Sequence, residues 1–399
     1  MDYPGNVEFR FVPVGSVAPA PPAEDELWLD VGNRVDIRVL DHHGGDSATR
    51  CAAEIVFHRF PELVPDSMRR RGRAVLVLHD PPDVDAVTSA WLTARILANG
   101  KPPLAAALAS LVDAVGDHDQ GMTRVNDPAT SWPIVMRTIL ATDHGKSGNE
   151  KAVLAAFRNL DRTVEILAAG GSLEDAAHDI STPGVRLQLE RACGDYLEDL
   201  DGGLVLCLAL PHGESRRHDP VPPGPAHPLP TQPIRPADGL HVENPRCMLF
   251  REMARGDLER SSLRRGFSLL AVTLEVGVGA DRPLFRHVIT TDPLAGLHLR
   301  GLGALLEEAE RAREDAMGLK PFPERMRLAP GKGRFGMGVG QPWYDGRGHG
   351  FTLVESPSVT VADKSVRASV LTPEEMLDVL ARFAGRMDCD KAPRQNQSR

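Results

Sequence analysis

No apolar run in this chain approaches the roughly 20 residues that a membrane-spanning helix needs. The first residues, MDYPGNVEFR, lack a basic stretch and an apolar stretch, so no secretory signal is expected there. Cysteine is scarce. Cys51, Cys193, Cys207, Cys247 and Cys389 are odd in number and scattered, with no C-x-x-C pair. That pattern argues against a disulfide frame or a zinc site and predicts reduced thiols in a cytoplasmic protein. A basic surplus is missing too. The formal net charge is −9, whereas proteins that grip long nucleic acid by its phosphates usually carry excess positive charge. The balance favours a small anionic substrate, or a nucleic-acid end, over a long duplex.

What is present is an ordinary globular composition in a chain long enough for two cores. Its organising stretch is residues 75–90, VLVLHDPPDVDAVTSA. A short apolar run ends at His79, and Asp80, Asp83 and Asp85 follow before a helical pattern begins. The run reads as a buried parallel strand, and Pro81 and Pro82 turn the chain at its end. The acids then sit at the carboxyl edge of a strand, where open α/β sheets bind ligands. Helix capping explains one of these aspartates, not three and a histidine. Such a group repels itself unless protons or a cation neutralise it, and a hard divalent metal suits the donors.

Strand patterns at 7–12, 26–30, 35–40, 74–78 and 204–210 alternate with helical patterns at 84–97, 104–115, 132–140, 149–168 and 185–197. A further helix runs through Cys51 and Phe60, with Ser47 as its expected cap. The alternation predicts an α/β domain over residues 1–210, a mainly parallel sheet with helices on both faces. Prolines crowd residues 220–236, so 211–245 reads as a linker. Residues 246–390 read as a smaller α+β domain, with strands at 267–275 and 284–290 and a helix at 302–317. Its last helix opens with Thr372-Pro373-Glu374-Glu375, a capping box. The tail, 391–399, is expected to be disordered.

Other acids and histidines stand where strand or helix patterns stop: Asp30, the triplet Asp41-His42-His43, and Asp117 with Asp119 in AVGDHDQG. With the H-x-x-P-D-x-D-A stretch from His79 to Ala86, this set resembles the DHH phosphoesterase superfamily. The likeness covers about residues 26–122 and leans toward the branch of exonuclease-like proteins. It implies two Mn²⁺ ions, with Mg²⁺ as the alternative. One ion would take His79, Asp83 and Asp30. The other would take Asp85, His42 and Asp117 or Asp119, with Asp119 favoured and Asp30 bridging. Asp41 would orient His42, and His43 would face the substrate phosphate. The motif order departs from that of most family members, because Asp30 and DHH precede H-x-x-P-D-x-D here. A sheet site depends on spatial neighbours, so a permuted order can rebuild the cluster.

The C-terminal domain of such proteins grips substrate with a Gly-rich loop. Arg347-Gly348-His349-Gly350 weakly resembles that loop. Lys332 and Arg334 could hold a phosphate. Trp343 and Tyr344 could stack a base, although aromatics in such positions more often pack in a core. The basic cluster from Arg69 to Arg73 reads as a solvated face. The expected activity is two-metal hydrolysis of a phosphodiester in a nucleotide, a short oligonucleotide or a single-stranded end. A phosphomonoesterase or pyrophosphatase of the same superfamily is the alternative within enzymes. A non-catalytic nucleotide-sensing or scaffold module is the alternative outside them. No membrane partner is expected, and a homo-oligomer stays open.

Overall fold

The structure, a computed structural model, describes residues 7–43, 49–100, 105–212, 234–279, 282–299, 301–319, 343–347, 352–356 and 368–384. The chain divides into two units. The first takes Met1–Thr123 and Asp127–Arg191; the second takes Arg124–Asn126 and Ala192–Arg399.

The first unit is built on a five-stranded sheet. Its strands are β1 (Val7–Pro13), β2 (Glu26–Leu29), β3 (Val35–Asp36), β4 (Val39–Leu40) and β5 (Ala74–Asp80). Their order is β1-β5-β2-β4-β3. All neighbours are parallel except β3 and β4. The single strand expected over 35–40 is two short ones, because Arg38 takes a left-handed φ of 65° and folds the chain back. The helices are α1 (Ala52–Leu63), α2 (Asp66–Arg71), α3 (Val84–Asn99), α4 (Ala105–Asp119), α5 (Trp132–Ser147), α6 (Asn149–Ala168), α7 (Leu173–Ile180) and α8 (Pro183–Asp201), the last of which crosses the unit boundary. Helix α3 is the packing hub. It is buried along most of its length, and Gly100 ends it in the left-handed region. Phe9 of β1 meets Phe157 of α6 edge-on. One face carries a smaller cluster of Ala18, Trp28, Val31, Val39 and Val77. Ala18 comes from the connection after β1, and Arg10 lies over the Trp28 ring.

The second unit has a six-stranded sheet in the order β10-β11-β9-β8-β7-β6. Its strands are β6 (Leu204–Pro211), β7 (Ile234–Glu243), β8 (Leu269–Gly279), β9 (Arg282–Thr291), β10 (Tyr344–Arg347) and β11 (Thr352–Glu355). Only β7 and β8 are parallel. Its helices are α9 (Phe250–Gly256), α10 (Leu302–Ala316) and α11 (Pro373–Ala384). The core gathers Leu208, Leu210, Ile289, Leu306, Trp343 and Leu380. The capping box expected at α11 is present. Glu375 N–H donates to Thr372 Oγ1 at 3.2 Å, and Thr372 N–H donates to Glu375 Oε2 at 2.9 Å.

Three expectations are corrected here. The boundary at 210 moves, because β6 pairs with β7 along its whole length and so belongs to the second unit. That unit is therefore not the smaller one. Part of the expected linker is β7. Pro236 is tolerated there because it pairs with β6 alone, before the pairing with β8 begins at Gly239. The rest of the expected linker, 213–233, and the tail, 391–399, lie outside the described residues. Finally, Cys207 is disulfide-bonded, whereas Cys51 and Cys247 are free thiols. Sequence spacing alone does not reveal which cysteines pair. The disulfide removes the argument from reduced thiols to a cytoplasmic location. No helix among the described residues is long and apolar enough to cross a membrane.

Candidate metal centre

Parallel pairing brings the ends of β5, β2 and β4 to one edge of the first sheet. Trp28 of β2 pairs with Val77 of β5, and Leu29 pairs with Leu40 of β4. The residues just beyond these pairs are therefore neighbours. They are His79 on β5, Asp30 after β2, and Asp41 with His42 after β4. Asp83 and Asp85 stand at the start of α3. Asp83 is its N-cap and accepts from Ala86 N–H at 3.0 Å.

Three groups of side chains present their ligand atoms within 4.8 Å of one another: Asp30-His79-Asp83, His42-Asp85-Asp119 and Asp30-His42-His43. His79 Nε2 lies 3.2 Å from Asp30 Oδ2 and 3.6 Å from Asp83 Oδ1. His42 Nε2 lies 3.4 Å from Asp30 Oδ1, 3.2 Å from Asp119 Oδ2 and 4.0 Å from Asp85 Oδ2. Asp30 thus touches both histidines, one with each oxygen. It is buried, and its φ of 57° puts it in the left-handed region, a strained setting for a residue with a side chain.

The electrostatics follow from crowding. Burial alone would raise the Asp30 carboxyl, but the imidazoles of His42, His79 and His43 around it hold it below the usual range. Burial, with the charges of Asp30 and Asp119, pushes Asp85 well above that range. Burial works against a charged His79, yet Asp30 and Asp83 outweigh it and raise the imidazole to about 11. His43 likewise rises to about 10, through its hydrogen bond to Asp41 and the charges of Asp30 and Asp41. Without a cation, protons on the imidazoles neutralise part of this negative charge.

A divalent cation fits this donor set. Each of the first two groups offers one imidazole nitrogen and two carboxylates, a donor set able to hold a divalent cation. Asp30 Oδ1 is buried with no hydrogen-bond partner, an arrangement that calls for a cation.

Several expected roles change. Asp117 and Asp119 lie on the last turn of α4, not in a loop beyond it. Only Asp119 joins the cluster. Asp117 is turned to Arg50, whose Nη1 donates to it at 2.8 Å. Asp41 was expected to orient His42, but its contacts run to His43. Its Oδ1 accepts from the His43 backbone N–H at 2.9 Å and lies 2.7 Å from His43 Nδ1. Asn33 N–H anchors its other oxygen at 2.5 Å. His43 itself stands at the rim, its side chain 57% exposed. Ser47 lies outside the described residues, and Cys51 occupies the N-cap of α1 without a side-chain cap bond. Asp85 does that work. Its two oxygens accept from Ala52 N–H at 2.7 Å and Ala53 N–H at 2.8 Å. No local sequence signal could show this, because the partners are more than thirty residues apart. Cys51 is buried beside Asp85, and burial raises its thiol, so it is inert.

The second-unit candidates fare differently. Trp343 is fully buried and stacks on His287, with ring centroids 5.8 Å apart, so it is a core residue and not a surface for a base. Tyr344 and Arg347 lie on β10, opposite Glu355 and Thr352. Lys332, Arg334, Gly348, His349 and Gly350 lie outside the described residues. No family model matches the chain, and neither a curated protein nor a solved structure matches it.

Proposed function

We propose that this chain is a divalent-metal-dependent phosphoesterase, with Mn²⁺ the expected ion. Its substrate would be a phosphodiester in a nucleotide, a short oligonucleotide or a single-stranded end. One observation carries the reading: two His/Asp groups, Asp30-His79-Asp83 and His42-Asp85-Asp119, meet where Asp30 contacts His42 at the carboxyl edge of a parallel sheet. The resemblance of H-x-x-P-D-x-D and D-H-H to the DHH superfamily supports it.

A pair of divalent cations would supply Lewis-acid activation of water and phosphoryl oxygens. The chain's own residues do the rest. His79, Asp83 and Asp30 would hold one cation, and His42, Asp85 and Asp119 the other, with Asp30 common to both. His43, exposed and kept cationic by Asp41 and Asp30, would donate to a phosphoryl oxygen. Asp41 fixes that ring.

The test is hydrolysis of a generic phosphodiester, short RNA and DNA oligomers, cyclic dinucleotides and pyrophosphate, with Mn²⁺ and then with chelator. Turnover that needs Mn²⁺ and vanishes in both Asp83→Ala and His42→Ala is the expected result. Turnover unchanged in both variants would place the chemistry elsewhere. The burial of Trp343 favours one second reading, because it takes away a base-stacking surface. A phosphomonoester or pyrophosphate would then be the best substrate of the panel.

A further inference from the structure

Arg50 stands just before α1 and reaches across to the last two turns of α4. Its Nη1 donates to Asp117 Oδ1 at 2.8 Å, and its Nη2 donates to Asp113 Oδ1 at 2.5 Å. Glu54 lies 3.7 Å from the guanidinium and accepts from the Arg50 backbone N–H at 2.6 Å. Asp113 and Asp117 are one helical turn apart on one face, where like charges repel. The guanidinium bonded to both removes that repulsion. Gly116 makes the approach possible. A Cβ there would lie 3.3 Å from Arg50 Cβ and 3.4 Å from its Nε and Cζ. Glycine is unfavourable inside a helix, and the close packing of this arginine gives a physical reason for it here.

The same residue holds the chain on the other side of Asp119. Gln120 Nε2 donates to the Arg50 carbonyl at 2.7 Å. Asp117 and Gln120 thus bracket Asp119, which lies 3.2 Å from His42 Nε2. Just beyond Arg50, the Ala52 and Ala53 amides hold Asp85. Residues 50–53 therefore secure both carboxylates of the His42-Asp85-Asp119 group. Among the described residues, no hydrogen bond or ion pair of Arg50 reaches Asp30, His79 or Asp83. An isolated exposed ion pair adds little to stability. Here one arginine binds three side chains from a single helix end.

We propose that Arg50 is a positioning residue for the cation of the His42-Asp85-Asp119 group: it fixes the end of α4 so that Asp119 stands beside His42. The inference rests on the two-cation reading of the metal centre and adds an unequal dependence of the two ions on one residue. The sign of the effect separates positioning from charge. Arg50 is itself a cation, so its removal leaves more negative surroundings, and Coulomb attraction alone would then tighten a nearby divalent ion. Loss of positioning loosens it.

The experiment is titration calorimetry of the full chain with Mn²⁺, comparing wild type, Arg50→Gln and Arg50→Lys, with Asp119→Asn as the reference for a damaged second group. The wild-type chain is expected to take two ions. Arg50→Gln should keep one at wild-type affinity and bind the other about tenfold more weakly, the loss usual when a ligand's supporting partner is removed. Arg50→Lys keeps the charge but not the planar fork, and should fall between. Paramagnetic resonance at two equivalents of Mn²⁺ should show a coupled pair in the wild type and more single-ion signal in Arg50→Gln. In chelator, the Asp119 and Gln120 amides of that variant should exchange faster, whereas the first turn of α3 should not. Melting curves show that each variant is folded, and Gln120→Ala supplies a milder variant with the same expected direction. A merely structural link would lower the melting temperature and leave both Mn²⁺ affinities unchanged, which would overturn the proposal. So would tighter binding, or equal weakening of both ions, in Arg50→Gln. A wild-type chain that takes fewer than two ions would overturn the two-cation reading and this inference with it. Two ions on both chains at the same affinities would overturn this inference alone.

Discussion

Asp30 touches a histidine of each cluster, and it is the strained one. Asp30→Asn keeps its shape and removes its charge. Titration calorimetry should find two Mn²⁺ ions on the wild-type chain, one on Asp83→Ala and none on Asp30→Asn. Two ions on Asp30→Asn would mean that it does not bridge. The histidines add a pH dependence. His79 and His43 are raised to about 11 and about 10 when no cation is bound. Their stabilising contribution is full below the ordinary value near 6.5 and is lost as pH rises through 10–11. In chelator, the melting temperature should fall as pH climbs from about 7 to 10. Mn²⁺ affinity should rise over the same range, because cation and proton compete for the same nitrogens. A flat melting temperature in chelator would contradict the raised values.

At the scale of elements, the start of α1 depends on a residue from α3. Asp85→Ala leaves the Ala52 and Ala53 amides without acceptors. Their hydrogen exchange should quicken by on the order of tenfold; unchanged exchange would show that the cap is dispensable. In the second unit a buried chain of bonds links β7, β8, β9 and the approach to α11. His241 Nε2 lies 3.1 Å from Thr273 Oγ1, Thr273 Oγ1 lies 2.9 Å from His287 Nδ1, and His287 Nε2 lies 2.9 Å from the Leu371 carbonyl. Burial lowers both imidazoles to about 4. Their contribution is full above about 6.5 and is lost as pH falls from there toward 4. Denaturant midpoints should drop across that window, and His287→Gln should flatten the drop.

These same elements show what could be read in advance. The apolar run of β5 and the polar residues after it were legible, because a parallel strand must end in a turn and carboxylates there need a partner. The grouping of Asp30 with His79 and of His42 with Asp119 was implied by the resemblance to the DHH superfamily; the sheet edge itself explains only Asp30, His42 and His79, since Asp119 comes from α4. The cap that Asp85 provides was not legible, because it joins distant segments. Nor was β7, whose prolines outweighed its buried alternation, nor the burial of Trp343, which depends on tertiary packing against His287.

At the scale of the whole molecule, the short piece Arg124–Asn126 matters beyond its length. It belongs to the second unit although the first unit's chain continues on either side of it. Val125 N–H donates to the Glu252 carbonyl at 3.2 Å, and Gly256 lies against the Val125 backbone with no room for a side chain. Gly256→Ala should therefore cost about 1–3 kcal/mol in the second unit. Thermal melts followed by a probe in each unit would show it, and a second-unit transition at the wild-type temperature would refute it.

The interleaving also imposes an order on birth. During synthesis, Val125 leaves the ribosome long before Glu252 exists. At about 5–20 residues per second, the interval is roughly 6–25 s. Throughout it the first unit's helices can assemble, while the segment between α4 and α5 waits for a partner not yet made. A nascent chain halted after Arg191 would hold that loop unmoored, open to a protease that the finished protein resists.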